Sequence, residues 1–337
     1  MSGSVRKFFR GPAGRTCFCI VTAALLAAAM LFSLRFGALK LSAWEILRLL
    51  WERPEGINSQ IIINIRLPRI LLGALSGSCL AASGTILQGV MRNPLASPGI
   101  IGVSAGAGLA GILVMLALPQ FSVLLVPAAF GGALLTAVLV YTLAWKRGAS
   151  PVRLILAGVA VSAMLGAFSS AILLFNAEKA GGVLDFSIGS LSARSWLQLK
   201  QTGVYMLIGL GGAAALSSKL NILALGDEVA AGLGMDVEKV RFQAIAVAAL
   251  LAASAVSVVG LLGFVGLIAP HIVRLVTGGD NRFLIPGAAL FGGLMVVGCD
   301  AVGRLVMAPS ELPVGIIMAL LGPPFFLWLL RRHRYGA

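Results

Sequence analysis

The sequence predicts an all-α polytopic membrane protein with about ten transmembrane helices, and three observations carry that prediction. Hydrophobic residues make up 59% of the 337 and charged residues only 11%, with a mean hydropathy of +0.99. A water-soluble domain carries roughly 25% charged residues, so this chain lacks the polar surface to face water on every side. The apolar residues also come in runs near the ~20 that a helix needs to cross the hydrocarbon core. Finally, Gly73-xxx-Gly77 and Gly102-xxx-Gly106 set small residues four apart, letting helix backbones approach where lipid supplies no hydrophobic drive. Ten such runs leave chain for loops but not for a separate soluble domain, so 1–337 reads as one transmembrane domain.

The first run, about 17–34, follows Arg6, Lys7, Arg10 and Arg15. It is long for a signal-peptide core and many spans follow, so it reads as a retained span. A polar, amphipathic stretch from Lys40 to Asn64 ends in Arg66-Leu-Pro-Arg69 and precedes the run at about 70–91. Asn93-Pro94 interrupts the chain because proline ends or kinks a helix, as a plain turn or as backbone lining a cavity. Runs at about 99–118, 122–145 and 152–175 follow, then a polar loop with Glu178, Lys179, Asp185, Arg194 and Lys200. The second half holds runs at about 202–218, 242–259, 261–277, 283–306 and 312–330, with Ala269-Pro270 expected to break the third of these.

The halves echo each other. Arg69 is followed by Leu80-Ala-Ala-Ser83 and Pro98-Gly99; Arg241 is followed by Leu251-Ala-Ala-Ser254 and Pro286-Gly287. The offset is an odd number of spans, so such a repeat has inverted topology, a common transporter plan. An even span count puts both termini on one side. The larger share of the 26 lysines and arginines falls there, including Arg331, Arg332 and Arg334, which marks it as cytoplasmic. The basic loop before the second span is the exception.

Several function classes drop out. The net charge of +14 lies at the edges of apolar runs and not on one patch, which excludes a nucleic-acid footprint. Cys17, Cys19, Cys79 and Cys299 lie in or beside apolar runs and read as small buried hydrophobes. Gly106-Ala-Gly-Leu-Ala-Gly111 matches a dinucleotide fingerprint but lies inside an apolar run, so these are packing glycines. There is no GxxxxGK[ST], no HExxH and no Ser/His/Asp grouping around His271 or His333. No catalytic residue, bound cofactor or metal is therefore expected. A proton- or ion-coupled transporter places acids at mid-membrane, and only Asp300 is a candidate for that.

Two features remain. Asp300 and Arg304 share a helical face four residues apart, either closing their own charge or serving a function. In the island 225–234, Leu225, Val229 and Leu233 recur every four residues beside Asp227 and Glu228. A short amphipathic helix of this kind lies on lipid or docks a partner, and its acidic charge argues against anionic lipid.

These segments resemble the permease family of ABC importers for iron–siderophores, haem and cobalamin. The resemblance runs in order through Arg66-Leu-Pro-Arg69, Gln88-Gly-Val-Met-Arg-Asn-Pro-Leu-Ala-Ser-Pro-Gly99, Leu154-Ile-Leu-Ala-Gly158 and Gly189-Ser-Leu-Ser-Ala-Arg-Ser-Trp196. It continues through Ala224-Leu-Gly-Asp-Glu228, Leu233-Gly234, Gly263-Phe-Val-Gly-Leu-Ile-Ala-Pro-His271 and Glu311-Leu-Pro-Val-Gly315. It implies a ten-helix fold like that of the cobalamin-importer permease, in the bacterial cytoplasmic (inner) membrane. It further implies a dimer with a second permease copy or paralogue around a central pathway. Two ABC ATPase subunits using ATP lie below, and a periplasmic or surface-anchored substrate-binding protein lies above. On that resemblance Arg66, Arg69 and Arg304 meet acidic residues of the binding protein. The segment about 220–240, with Leu225, Gly226, Asp227, Glu228, Ala230, Leu233 and Gly234, couples to the ATPase. Asn93 and Leu95 narrow the cytoplasmic gate, and Pro151-Val152 stand where relatives carry small hydroxyl residues. The string 189–196 is similar to the ferric siderophore members, so an iron–siderophore chelate is the expected cargo, with cobalamin or haem as the alternative.

Overall fold

Apolar runs that must satisfy their backbone without water become helices, and each predicted run does so in the computed structural model. The model describes residues 11–332 except 36–44, 46–47, 49–50, 53–55, 147, 149, 180 and 308–309. Arg6, Lys7, Arg10, Lys40, His333 and Arg334 lie outside the described residues. In chain order the helices are α1 (Pro12–Arg35), α2 (Ile57–Val90), α3 (Val103–Ala117), α4 (Leu125–Ala144), α5 (Pro151–Phe175) and α6 (Gly181–Ile188). They continue with α7 (Trp196–Leu223), α8 (Asp227–Gly232), α9 (Val237–Val259), α10 (Val265–Thr277), α11 (Asn281–Val306) and α12 (Val314–Arg332). α1, α2, α4 with its leading turn, α5, α7, α9 and α11 are long and apolar enough to cross a membrane, while α3, α10 and the apolar part of α12 are shorter.

α2 and α9 form the centre. Their apolar windows are 83% and 72% buried, against 11% for α5 and 17% for α1, whose side chains face outward. The strings 80–83 and 251–254 both lie fully inside, and Ser83 Oγ donates to Ala248 O at 2.7 Å, closing α2 onto α9. Small residues set the other approaches. A Cβ on Gly77 would run into Gly292 O of α11, and one on Gly106 into Gly132 O of α4. The apparent dinucleotide fingerprint is thus a packing surface; its last member, Gly111, lies under the Phe186 ring.

The structure departs from the sequence reading in four places. α2 starts at Ile57, well before the expected 70, through a π-turn at Ile61–Arg66. In that turn Leu67 N donates five residues back to Ile62 O; in the same register Pro68 has no N–H for Ile63 O, and Trp196 Nε1 donates there at 2.8 Å. The polar loop after α5 contains α6, because Val183 and Phe186 are one helical turn apart and both buried. Pro270 does not break α10. The helix runs through it, and Gly266 O, the carbonyl that Pro270 cannot serve, accepts from Gln88 Nε2 at 3.4 Å. The break lies upstream at 260–264, where non-helical backbone is partly buried, with Gly263 exposed, and is bonded to the protein around it. Leu261 N donates to Phe186 O at 3.0 Å and Ser190 N to Val259 O at 2.8 Å. Lastly, Cys79 and Cys299 are buried as expected, but Cys17 is exposed on the outer face of α1.

Candidate functional site

Charged residues collect at the two ends of the bundle. We call the end where α1 begins the near end and the opposite one the far end. At the far end, the C-terminal ends of α1 and α11 meet the first turns of α2. Asp300 sits at the centre, its side chain 4% exposed. Arg69 binds it through Nη2 at 2.8 Å and Nε at 3.2 Å, and Arg304 Nε lies 3.2 Å from its other oxygen. Arg69 Nη1 reaches Glu311 at 2.7 Å, and Glu311 is the member that opens to the surface. Arg304 also donates to Ser33, and Arg66 Nη1 to Leu34 O at 2.7 Å, so both close onto the end of α1. The structure therefore brings Arg66, Arg69 and Arg304 together at this end, all buried, with Arg69 and Arg304 on Asp300 and Arg66 on the end of α1. The Asp300–Arg304 pair expected from spacing exists and is half of a larger network.

At the near end, α8 hangs between α7 and α9. Gly226 and Gly234 bracket it with φ of +118° and +82°, a left-handed backbone that a β-carbon strains. Asp227 and Glu228 occupy its first turn, where the helix dipole favours negative charge. Only Ala230 turns into the protein; Leu225, Val229 and Leu233 are 61%, 50% and 64% exposed. The four-residue spacing thus builds an apolar face directed away from the bundle. Asp227 ties α8 down. It pairs with Arg92, which follows α2 in a left-handed turn, and with Arg241 Nη2 at 2.8 Å. Arg241, 3% exposed, also meets Glu238 at 2.5 Å.

A second near-end node joins three spans. Asp280 caps α11 and accepts from Arg282, from Asn221 at the end of α7 at 2.8 Å, and from Arg15 of α1 at 3.3 Å. Hydrogen bonds from Arg282, then from Asn221, outweigh burial and hold its carboxyl down at about 2.

The residues 93–95 and 151–152 lie at turns of this same end. Asn93 Oδ1 accepts from Leu95 N at 2.9 Å, which locks the turn, and Leu95 is exposed. Pro151 opens α5 behind the Ser150 cap, with Val152 exposed on its first turn. Sequence reasoning missed Glu311, Arg241, Asp280 and Gln88. Two of these had a signal: Asp280 precedes an apolar run at a helix-cap position, and Pro270 announces a carbonyl needing a donor. The ties of Glu311 to Arg69 and of Arg241 to Asp227 follow no helical spacing, although Arg241 and Glu238 are three apart on one helix. His271 packs edge-on against Phe325, as a core residue does.

The FecCD transport family matches residues 25–332. The chain is 40% identical to the Fe(3+)-citrate import system permease protein of Bacillus subtilis over 93% of its length and 94% of the relative's. It is 44% identical to the cobalamin import system permease protein of Halobacterium salinarum, over 83% of its own length and 76% of that protein. Among solved structures, an inward-facing conformation of a metal-chelate type ABC transporter superposes with a TM-score of 0.82 at 31% identity, covering 94% of this chain and 99% of that one.

Proposed function

The chain belongs to the FecCD transport family, and from that premise we propose that it is the membrane-spanning permease subunit of an ATP-driven importer for a bulky metal chelate, of the iron–siderophore type. The observation that carries this reading is the match of nearly the whole chain to import permeases, together with an apolar face on α8 that none of the described residues covers. The near end is then cytoplasmic and the far end external. A pair of ATPase subunits seats α8 in a groove, removing Leu225, Val229 and Leu233 from water at about 1.5–3 kcal/mol each. ATP binding, by closing the ATPase pair, favours one of two packings of the permease dimer, because a seated helix makes different contacts in each. A substrate-binding protein docks at the far end, where Arg66, Arg69 and Arg304 lie buried and outnumber Asp300 and Glu311 by one charge, so they steer an acidic partner through their net positive field and not by direct contact. Asn93 and Leu95, with Pro151 and Val152, lie at the cytoplasmic mouth.

A second reading keeps the mechanism and changes the cargo: the 44% identity to a cobalamin permease favours cobalamin. Reconstituting the chain with its ATPase and binding protein in vesicles tests both. We expect uptake of a ferric siderophore that needs ATP inside the vesicle compartment holding the ATPase and survives ionophores. Uptake by this chain alone, driven by a proton or sodium gradient, contradicts the reading; uptake of cobalamin in place of the siderophore moves it to the alternative.

A further inference from the structure

Beside α8, the near end holds a cavity of about 240 Å³ between the end of α2, the last turns of α10 and the start of α11. Arg92, Asn93, Arg274, Asn281, Gln88 and Ala224 line it. The charges around it do not balance. Arg92 is engaged by Asp227, and the neighbouring Asp280 is taken up by Arg15, Arg282 and Asn221. Arg274 stands apart: its half-buried guanidinium has no ion-pair or hydrogen-bond partner among the described residues. A cation drawn partly out of water with no counter-charge is costly, and a cavity beside it is where a mobile counter-charge fits. The planar fork of arginine matches the oxygens of a phosphate bidentately. The volume lies below the roughly 300–1,000 Å³ of sites for drug-sized ligands, which suits a single phosphate group.

We propose that this cavity binds one phosphate-bearing anion, gripped by Arg274 and shared with Arg92. Arg92 is also a tether of α8 through Asp227. The anion and Asp227 therefore compete for one guanidinium, so occupancy slackens α8. The phosphate comes either from a lipid headgroup or from free phosphate, and the binding is a property of this chain whether or not the transport reading holds.

The full-length chain in phosphatidylcholine nanodiscs, titrated calorimetrically with inorganic phosphate, tests the free source. Nanodiscs graded from phosphatidylcholine to phosphatidylglycerol, read by native mass spectrometry, test the headgroup. We expect one probe to saturate at a single site, at least about tenfold weaker in Arg274→Gln, since one charge-assisted pair is lost. Lys219→Gln, an exposed control on α7, should bind like wild type. Asp227→Asn should bind several-fold tighter because Arg92 is released. If Arg274→Gln does not fold, Arg92→Gln takes its place, with a several-fold loss expected. Saturation by neither probe, or wild-type affinity in the folded arginine variant, overturns the proposal.

Discussion

The two ends of the bundle use the same chemistry to opposite effect. At the far end Asp300 is buried between Arg69 and Arg304, all three on long helices that cannot move apart without opening the core. At the near end Asp227 also sits between two arginines, but its side chain is 48% exposed and it rides on a six-residue helix with one buried residue. Burial decides what each pair does. A buried ion pair that loses one partner leaves uncompensated charge and costs about 3–5 kcal/mol. Asp227 is half exposed and screened by water, and Arg241, although buried, keeps Glu238 when Asp227 is lost, so this pair contributes about 0–1 kcal/mol. The far network therefore fixes the bundle, whereas the near one holds a movable part in place.

That contrast can be broken experimentally. The largest stability effect should come from Asp300→Asn, which takes the shared carboxylate from Arg69 and Arg304 while Arg69 keeps Glu311 and Arg304 keeps Ser33. We expect a loss of about 3–5 kcal/mol, read as a large fall in thermal midpoint in detergent. A midpoint equal to wild type would mean the far end is not what locks the helices. Replacing Gly226 and Gly234 together with valine comes next. It should cut ATP-driven uptake at least about tenfold by misplacing α8; an added β-carbon meets no atom within 4 Å at either position, so the strain falls on the local backbone and the thermal midpoint should fall less than in Asp300→Asn. Asp227→Asn should lower stability by less than about 1 kcal/mol; a larger loss would erase the distinction between the ends.

The smallest effect is acidic. Asp280 titrates at about 2, below its ordinary 3.8. A carboxylate depressed by folding adds stability that is fully present above its unfolded value and lost as pH falls through its folded value. The stability difference between wild type and Asp280→Asn should stay flat from pH 7 to about 4 and shrink only below that. A difference that already shrinks between pH 7 and 5 would show that the bonds from Arg282 and Asn221 do not hold this group.

Much of this was legible in the sequence because lipid imposes a strong rule. Every apolar run near 20 residues had to become a helix, and ten did. Leu225, Val229 and Leu233 gave away the outward face of α8 by spacing alone. What stayed hidden depended on distant residues. The π-turn in α2 needs Trp196 to collect a carbonyl 133 residues away, and Pro270 is tolerated because Gln88 lies 178 residues away from Gly266. The meeting of Arg69 and Arg304 on one aspartate, with Arg66 beside them on the end of α1, likewise joins helices that sequence order keeps apart.

The central claim is that α8 is the seat of a nucleotide-driven partner. Its most direct test is the affinity of the cognate ATPase for the nanodisc-held chain, wild type against the combined Leu225→Asp, Val229→Asp and Leu233→Asp variant. The account predicts at least about a hundredfold loss, since three exposed apolar side chains carry the contact. Unchanged affinity in a folded variant would contradict it.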